Sequence, residues 1–287
     1  MVLHRLRALI PIERFRRPTP VVAVLRLHGI IAAHGSQLRP ALGLAGLAGP
    51  IEQAFKQRGL RAVALSINSP GGSPVQSALI HDRIRDLAAE KELPVFSFVE
   101  DVAASGGYWL ALAGDEIYVD ESSILGSIGV VTAGFGFQDL LAKIGVERRL
   151  HASGDKKSFL DPFVDERAAD VKRLTAIQKE IHEAFKEQVR KRREGKLAGT
   201  ERSLFSGEFW TGRKAVELGL ADGVGNMRAV LRERYGDKVR LKLVERRPGL
   251  LRRRLGLGQA GEALPASFVD GIIDALGARA LWARYGL

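Results

Sequence analysis

The sequence predicts an α/β protein built around a mainly parallel β-sheet. Runs rich in β-branched and apolar residues predict buried strands, beginning with "VVAVLRL" (21–27), "AVALSIN" (62–68) and "PVFSFVE" (94–100). Helical stretches separate these strands, namely "GLAGPIEQAFKQRG" (46–59) and "PVQSALIHDRIRDLAAEK" (74–91). Regular alternation of strand and helix is typical of a parallel sheet covered by helices. A chain of 287 residues is also long enough to bury one substantial core.

The helix predicted at 74–91 has a clear start signal. Ser73 stands where an N-cap residue belongs, and Pro74 occupies the first helical position, where no N–H donor is needed. Apolar residues then recur at helical spacing: Val75, Leu79, Ile84 and Leu87. A further strand is predicted within "EIYVD" (116–120), which continues the α/β pattern.

The second half of the chain begins with a long predicted helix at 165–194. Its apolar stripe comprises Leu174, Ile177, Ile181, Phe185 and Val189. The stripe by itself favours packing on the body of the same chain, with packing on another subunit as the alternative. A short helix at 212–219, a strand within "KVRLKLVERR" (238–247) and a terminal helix within 264–286 complete the prediction.

Positive charge is unevenly distributed along the chain. The net charge is +11, and basic residues cluster at the start of the chain, in "VRKRREGK" (189–196) and in "VERRPGLLRRRLG" (244–256). We therefore divide the chain into a basic leader (1–17), a main domain (18–230) and a basic C-terminal extension (231–287). The leader is predicted to form an amphipathic helix on an anionic membrane surface. The ordinary alternative, which composition alone favours, is solvated charge in the tails and on one helix face.

Composition and motif content argue against several classes of function. There is no cysteine, which excludes disulfides, thiol catalysis and cysteine-ligated metals. Zinc-finger spacing, an RNA-binding aromatic signature and a helix-turn-helix pattern are all missing, so no nucleic-acid partner is predicted. No segment reaches the ~20 apolar residues of a membrane-spanning helix. We expect a cytoplasmic protein with peripheral contact to the inner membrane face.

Ser105 is the candidate nucleophile. In "DVAASGGYWLALAG" (101–114) it lies between small residues at a strand-to-helix junction, where substrate can approach closely. Attack on a carbonyl also needs donors for the developing negative charge. The amide of Gly106 and the turn that contains Gly71 and Gly72 are candidates. The ordinary alternatives are a helix N-cap serine and a tight turn that needs positive φ.

The candidate bases lie in a later glycine-bearing loop, "HASGDKKSFLDPF" (151–163). His151 is the one histidine with a suitable position, and Lys156 and Lys157 follow it. A lysine acts as a general base only when neutral, a state that burial or nearby positive charge favours. The ordinary alternative is a pair of exposed loop lysines.

Three motifs together resemble the signal peptide peptidase A and SohB family of bacterial serine peptidases. They are "NSPGGS", "DVAASGGYWLALAGDEIYVDESSILGSIGV" and "SGDKKSFLDPF", and the similarity extends over roughly residues 20–225. The resemblance implies a crotonase-like (ClpP-like) α/β fold, a Ser–Lys dyad and assembly into a homo-oligomeric ring. It also makes the long helix at 165–194 a candidate for packing between subunits.

The resemblance also assigns roles to individual residues. Ser105 matches the family nucleophile, and the flanking Gly154 and Ser158 select Lys157 rather than Lys156 as the base. Ser127, in "LGSIGV", matches the serine that orients the lysine. The oxyanion and substrate-binding positions are Gly71, Gly72 and Gly106.

These assignments predict a serine endopeptidase that hydrolyses short or unfolded peptides, with remnant signal peptides as a family-implied substrate. No metal or other cofactor is expected. An acyl-CoA enzyme on the same crotonase-like fold is one alternative. A catalytically inactive, membrane-associated scaffold is the other.

Overall fold

The computed structural model describes residues 19–34, 41–154 and 156–244, together with residues 280, 282, 283 and 285. The predicted leader (1–17) and nearly all of the predicted terminal helix (264–286) lie outside the described residues. The basic cluster at 244–256 also lies outside them, apart from Val244.

The described strands and helices follow the predicted alternation. The strands are β1 (Val21–His28), β2 (Leu60–Ser69), β3 (Val95–Ala104), β4 (Glu116–Val119), β5 (Ile124–Gly126), β6 (Phe209–Thr211), β7 (Gly223–Val224) and β8 (Arg240–Val244). The helices are α1 (Leu44–Phe55), α2 (Pro74–Lys91), α3 (Gly106–Ala111), α4 (Gln138–Lys143), α5 (Ala168–Arg192), α6 (Glu201–Leu204), α7 (Gly212–Glu217) and α8 (Met227–Tyr235).

These strands form one eight-stranded sheet. Its order is β6-β5-β3-β2-β1-β8, and β4 pairs with both β3 and β7. Every pair is parallel except β5 with β6, which confirms the predicted α/β class. Because β8 pairs with β1, residues 240–244 of the predicted C-terminal extension belong to the main sheet.

Strand β3 changes partner along its length, and this positions its last residue. Its first half pairs with β4, whereas Val102, Ala103 and Ala104 pair with β5. The register with β2 shifts where Glu100 and Asp101 lie, and such irregularities bend a strand. The ends of β3 and β5 therefore lie side by side.

Two hydrophobic clusters cover the opposite faces of the sheet. In β2, Val63, Leu65 and Ile67 belong to the larger cluster, whereas Ala62 and Ala64 belong to the smaller one. Helices α1, α2, α3 and part of α5 contribute to the larger cluster, and α8 contributes to the smaller. Buried parallel strands of this kind are expected to be apolar on both faces.

Helix α2 begins as predicted. The Ser73 side chain accepts a hydrogen bond from the Gln76 N–H, and Pro74 is the first helical residue. The predicted apolar stripe is only half right, because Val75 and Leu79 are exposed. The buried apolar residues of the helix are Ile80, Ile84, Leu87 and Ala88.

The long helix α5 is confirmed, and its two halves differ. In the C-terminal half, Phe185 and Val189 are buried against the sheet and the helices that cover it, which we call the body. In the N-terminal half, Val171 and Ile177 are exposed. Residues 131–154 and 156–167, which we call the arm, precede this exposed half.

Most residues of the arm are exposed. The side chains of Phe137 and Phe163 pack together, with ring centroids 5.7 Å apart. Gln178 of α5 donates to the Thr132 hydroxyl at 3.1 Å. The large apolar side chains that the arm leaves exposed are Val131, Phe135, Phe137, Leu140, Ile144, Val146, Leu150 and Val164. Such a concentration is unusual on a free surface.

The described C-terminal residues lie beside the end of β3. Tyr285 is buried in a small cluster with Val102 and Ala104, and Trp282 packs against it. Among the described residues, no helix combines the length and the apolar character needed to cross a membrane.

Candidate active site

Ser105 lies at the junction of β3 and α3 in a strained backbone conformation. Its φ of 53° and ψ of −123° are rare for a residue other than glycine. Its N–H donates to the Gly126 carbonyl at 2.8 Å, and its own carbonyl accepts from the Trp109 N–H. Its hydroxyl makes no capping hydrogen bond to α3. The ordinary N-cap alternative therefore does not explain this serine.

The turn at Gly71 packs directly against Ser105. A Cβ atom built on Gly71 would lie 2.9 Å from the Ser105 Cβ, 2.9 Å from the Gly106 nitrogen and 2.8 Å from the Ala104 oxygen. Gly71 also has a φ of +102°. Only glycine satisfies both the close approach and the backbone conformation. The first and second glycine-bearing motifs of the sequence thus form one site.

Two backbone amides beside Ser105 are unused. Within the described part of the chain, the N–H groups of Gly72 and Gly106 donate to no acceptor. They are close together, because a Cβ on Gly106 would lie 3.4 Å from the Gly72 nitrogen. The Gly71 N–H, in contrast, donates to the Ser69 hydroxyl at 3.2 Å. Paired free donors next to a serine hydroxyl are the components of an oxyanion hole.

Ser127 lies next to Ser105 because β5 ends where β3 ends. Ala104 and Gly126 are partners in the parallel register, and each of the two serines follows one of them. Ser127 is buried and, like Ser105, has a positive φ, of 51°. Its N–H donates to the Glu208 carbonyl at 2.7 Å. The sheet thus brings the predicted nucleophile and the predicted supporting serine together.

Lys157 lies on the arm, where its side chain is exposed. Among the described residues its amine has no hydrogen-bond or ion-pair partner, and neither Ser105 nor Ser127 bonds to it. Lys156 and the rival base His151 are exposed on the same loop. A single chain thus brings together all the predicted site residues except the base.

Sequence reasoning missed several contacts that shape the site. The Glu208 carbonyl holds Ser127, and the Trp210 ring packs over Gly126, 2.7 Å from where a Cβ would stand. The Ser69 hydroxyl accepts from Gly71. Backbone carbonyls and contacts distant in sequence carry no motif. Ser69 alone had a usable signal, since it directly precedes the PGG turn.

A second serine and histidine pair lies elsewhere, on the adjacent strands β1 and β2. His28 Nε2 is 2.7 Å from the Ser66 hydroxyl, which donates to a Glu100 carboxylate oxygen at 2.6 Å. In a catalytic triad the imidazole stands between the serine and the acid and uses a different nitrogen for each. Here the same Nε2 also faces Glu100, at 3.4 Å. This arrangement is not a triad.

A cavity of about 650 Å³ lies between the arm and the start of α5. Phe135, Pro162 and Leu174 are among its lining residues, but Ser105, Ser127 and Lys157 are not. This cavity is therefore separate from the candidate active site.

Comparison with known proteins identifies the family. The sequence profile of peptidase family S49 matches residues 88–239, which is more than half of the chain and includes both serines and both loop lysines. The chain belongs to peptidase family S49. The predicted resemblance to the signal peptide peptidase A and SohB group of serine peptidases is thereby confirmed.

Individual relatives of this S49-family chain carry different names. A putative signal peptide peptidase SppA of Enterococcus faecium is 30% identical over 179 residues, which is 61% of this chain and 50% of the relative. A protein of Brucella abortus named Na(+)/H(+) antiporter NhaA is 56% identical over 288 residues, 98% of this chain but 39% of the relative. The chain thus spans half or less of these two relatives.

One solved structure was also compared with the S49 chain. A mutant of the 1510-N membrane-bound stomatin-specific protease aligns with a TM-score of 0.48 and 14% identity. The alignment covers 80% of this chain and all of that one.

Proposed function

We propose that this S49 peptidase is a serine endopeptidase in which Ser105 attacks the peptide carbonyl and Lys157 accepts its proton. The observation that carries the proposal is the conformation of Ser105. A strained serine with an uncapped hydroxyl stands beside the two unused amides of Gly72 and Gly106. Strained conformations of this kind cluster at active sites.

The reaction follows from these positions. As the Ser105 oxygen bonds to the carbonyl carbon, the carbonyl oxygen becomes an oxyanion and accepts hydrogen bonds from Gly72 and Gly106. Each such donor lowers the barrier by about 3–4 kcal/mol in comparable sites. Lys157 passes the proton to the departing amine and then deprotonates the water that releases the acyl group from Ser105. No metal or other cofactor takes part.

Ser127 is proposed to orient the lysine amine. It follows the strand residue paired with Ala104, so its hydroxyl lies on the same edge of the sheet as Ser105. A hydrogen bond to a neutral amine holds the lone pair toward the nucleophile and disfavours rotation away from it.

Assembly is proposed to complete the site. Lys157 is exposed in the single chain, yet a base must be neutral, and removal from water favours the neutral amine. The arm that carries Lys157 exposes a set of large apolar side chains. A second copy of the chain that covers the arm would bury both, in keeping with the ring that the family resemblance implies.

The substrates are proposed to be extended peptides. The turn at 70–72 has a free amide at Gly72 and no side chain at Gly71 or Gly72, so an unfolded backbone can lie against it. Short peptides, unfolded proteins and remnant signal peptides share this property. Peripheral membrane contact through the basic leader is part of the same proposal.

The test is hydrolysis of a fluorogenic apolar peptide and of unfolded casein by the wild type and by Ser105→Ala. We expect the substitution to reduce kcat/KM by about a thousandfold or more, with folding unchanged. A fluorophosphonate probe should label the wild type and not Ser105→Ala. The exposed Ser122 provides the control, since Ser122→Ala should retain both labelling and activity.

Activity that survives in Ser105→Ala would overturn the assignment of the nucleophile. A wild type that neither hydrolyses these substrates nor reacts with the probe would contradict the peptidase proposal itself. Because the amine must be neutral, hydrolysis should also rise with pH between about pH 6 and about pH 10. A flat profile would contradict a lysine base.

A further inference from the structure

Helix α5 contacts the elements that carry the serines and the oxyanion turn. Its exposed N-terminal half leads from the arm, and its contact with the body begins at about His182. The ring of Phe185 stacks on Trp109 of α3, the helix that follows Ser105, with centroids 4.8 Å apart. Gln188 donates to His81 of α2, the helix that follows the oxyanion turn, at 2.8 Å.

His182 makes the corresponding contact with the segment that follows Ser127. Its Nε2 lies 3.0 Å from the Ile128 carbonyl oxygen, which can only accept a hydrogen bond, so Nε2 carries the proton. In the described part of the chain, no other α5 side chain bonds to residues 127–130. Because its Nε2–H is donated to this carbonyl, the imidazole holds the backbone beside Ser127 in place.

The contact from His182 is one of three hydrogen bonds that hold the backbone around the strained residue Ser127. Before Ser127, the Gly126 carbonyl accepts from the Ser105 N–H, and the Ser127 N–H itself donates to Glu208. After Ser127, the Ile128 carbonyl accepts from His182. Because Ser127 has a φ of 51°, its conformation persists only if the surrounding bonds hold it. Loss of the last bond frees the C-terminal side of this turn.

We infer that His182 is a positioning residue for Ser127, an inference that rests on the proposed function. Its hydrogen bond fixes the backbone of the turn and thereby the direction of the Ser127 hydroxyl toward the lysine amine. The packing of α5 on the body depends instead on Phe185 and Val189, which are buried. The role of His182 is therefore separable from the stability of the helix.

Three variants test this inference. His182→Leu removes the donor at similar size, His182→Gln retains an N–H donor, and Lys179→Ala changes an exposed residue of the same helix. Amide hydrogen exchange is measured for peptides that cover residues 124–130, and kcat and KM are measured with the fluorogenic peptide. His182→Ala, which also lacks a donor, replaces His182→Leu if that variant fails to fold.

We expect His182→Leu to accelerate exchange at residues 126–129 by about tenfold and to lower kcat by about tenfold, with KM nearly unchanged. His182→Gln and Lys179→Ala should resemble the wild type in both measurements. Unchanged exchange at 126–129 in His182→Leu would overturn the inference whatever the kinetics. Equal changes in exchange and in kcat for His182→Leu and His182→Gln would overturn it as well, since the hydrogen-bond donor would then make no difference.

Failure of the proposed function gives a different result. In that case the wild type and Ser105→Ala would be equally inactive, while exchange at residues 126–129 would still report the backbone contact. The catalytic role inferred for His182 would then fall together with the peptidase proposal.

Discussion

The body and the arm contribute to the proposed active site in opposite ways. In the body, adjacent parallel strands end together and place Ser105 beside Ser127, with the free amides of Gly72 and Gly106 against the nucleophile. On the arm, Lys157 is exposed and has no partner among the described residues. One half of the site is preformed within a single chain, and the other half is not.

The difference follows from what holds each region in place. The nucleophile side is fixed by sheet hydrogen bonds and by a core that is buried on both faces of the sheet. The arm has one short helix, α4, without a buried residue, and many uncovered apolar side chains. In the proposed mechanism the serine is a weak nucleophile without its base. A second copy of the chain that covers the arm would therefore raise activity.

The sharpest test of this comparison replaces the two loop lysines one at a time. We expect Lys157→Ala to lower kcat/KM by about a hundredfold or more, because the serine loses its base. Lys156→Ala, a matched exposed neighbour, should change activity by less than about threefold. Hydrolysis of the fluorogenic peptide measures both. Equal effects of the two substitutions would refute the assignment of Lys157.

Mixing two inactive variants then asks whether the arm serves its own chain. Ser105→Ala retains the lysine and Lys157→Ala retains the serine, so subunit exchange between them restores part of the activity if a neighbouring copy supplies the base. Exchange is verified by mixing differently labelled chains. No recovery despite verified exchange would mean that the arm and the body of one chain form the site together.

The second prediction concerns the preformed part of the site, where the amides of Gly72 and Gly106 lie together. A Cβ on Gly106 would lie 2.5 Å from the Ser77 hydroxyl oxygen and 3.4 Å from the Gly72 nitrogen. Gly106→Ala should therefore separate the two free amides and lower kcat/KM by about a hundredfold. Ser77→Ala added to Gly106→Ala removes the clashing oxygen and should recover part of that loss.

The matched control for this prediction is Gly49→Ala. Gly49 lies within α1, and nothing stands within 4 Å of where its Cβ would be. Alanine there should leave activity unchanged, and because Pro50 follows directly, no gain in helix stability is expected. Recovery of Gly106→Ala by Ser77→Ala is the informative result. Loss without any recovery would mean that alanine disturbs the site by another route.

The sequence was sufficient to predict the body because its signals are local. Alternating strands and helices gave the parallel sheet, and the Ser73–Pro74 start of α2 was confirmed. The turn of Gly71 and Gly72 was a candidate partner of Ser105 from the residues, and the family resemblance favoured it over an ordinary tight turn. The structure supplies the physical reason in the close backbone contact. No motif encodes the two hydrogen bonds that hold the turn at Ser127. The Glu208 carbonyl accepts from the Ser127 N–H, and His182 Nε2 donates to the Ile128 carbonyl.

The long helix shows where periodicity stops being informative. The apolar stripe over 165–194 correctly predicted a helix, but it could not tell which half faces the body. Phe185 and Val189 are buried, whereas Ile177 of the same stripe is exposed. Periodicity identifies a face, and only the tertiary fold shows where the covering surface ends.

The smallest expected effect is a loss of thermal stability at acid pH. It arises at the contact between α2 and α5, where Gln188 meets His81, and we call this contact the α2–α5 seam. Burial lowers the pKa of His81, and the nearby positive charges of Arg192 and Arg85 act in the same direction, whereas Asp82 at 2.8 Å opposes them. Neutral His81 accepts the hydrogen bond from Gln188 that connects the two helices.

The sign of the effect follows from the lowered pKa. Folding favours the neutral imidazole, so the contribution of His81 to stability is complete above its unfolded pKa of 6.5. It is lost as the pH falls from there toward the lower pKa of the folded state. We therefore expect a lower Tm at about pH 5.5 than at about pH 7.5, and a smaller difference in His81→Gln, which cannot titrate. Amide exchange should rise first at the α2–α5 seam and not in the arm, where no buried histidine is described. An increase in exchange at acid pH that is confined to the arm would contradict this prediction, because the arm and not the body would then be the region that depends on pH.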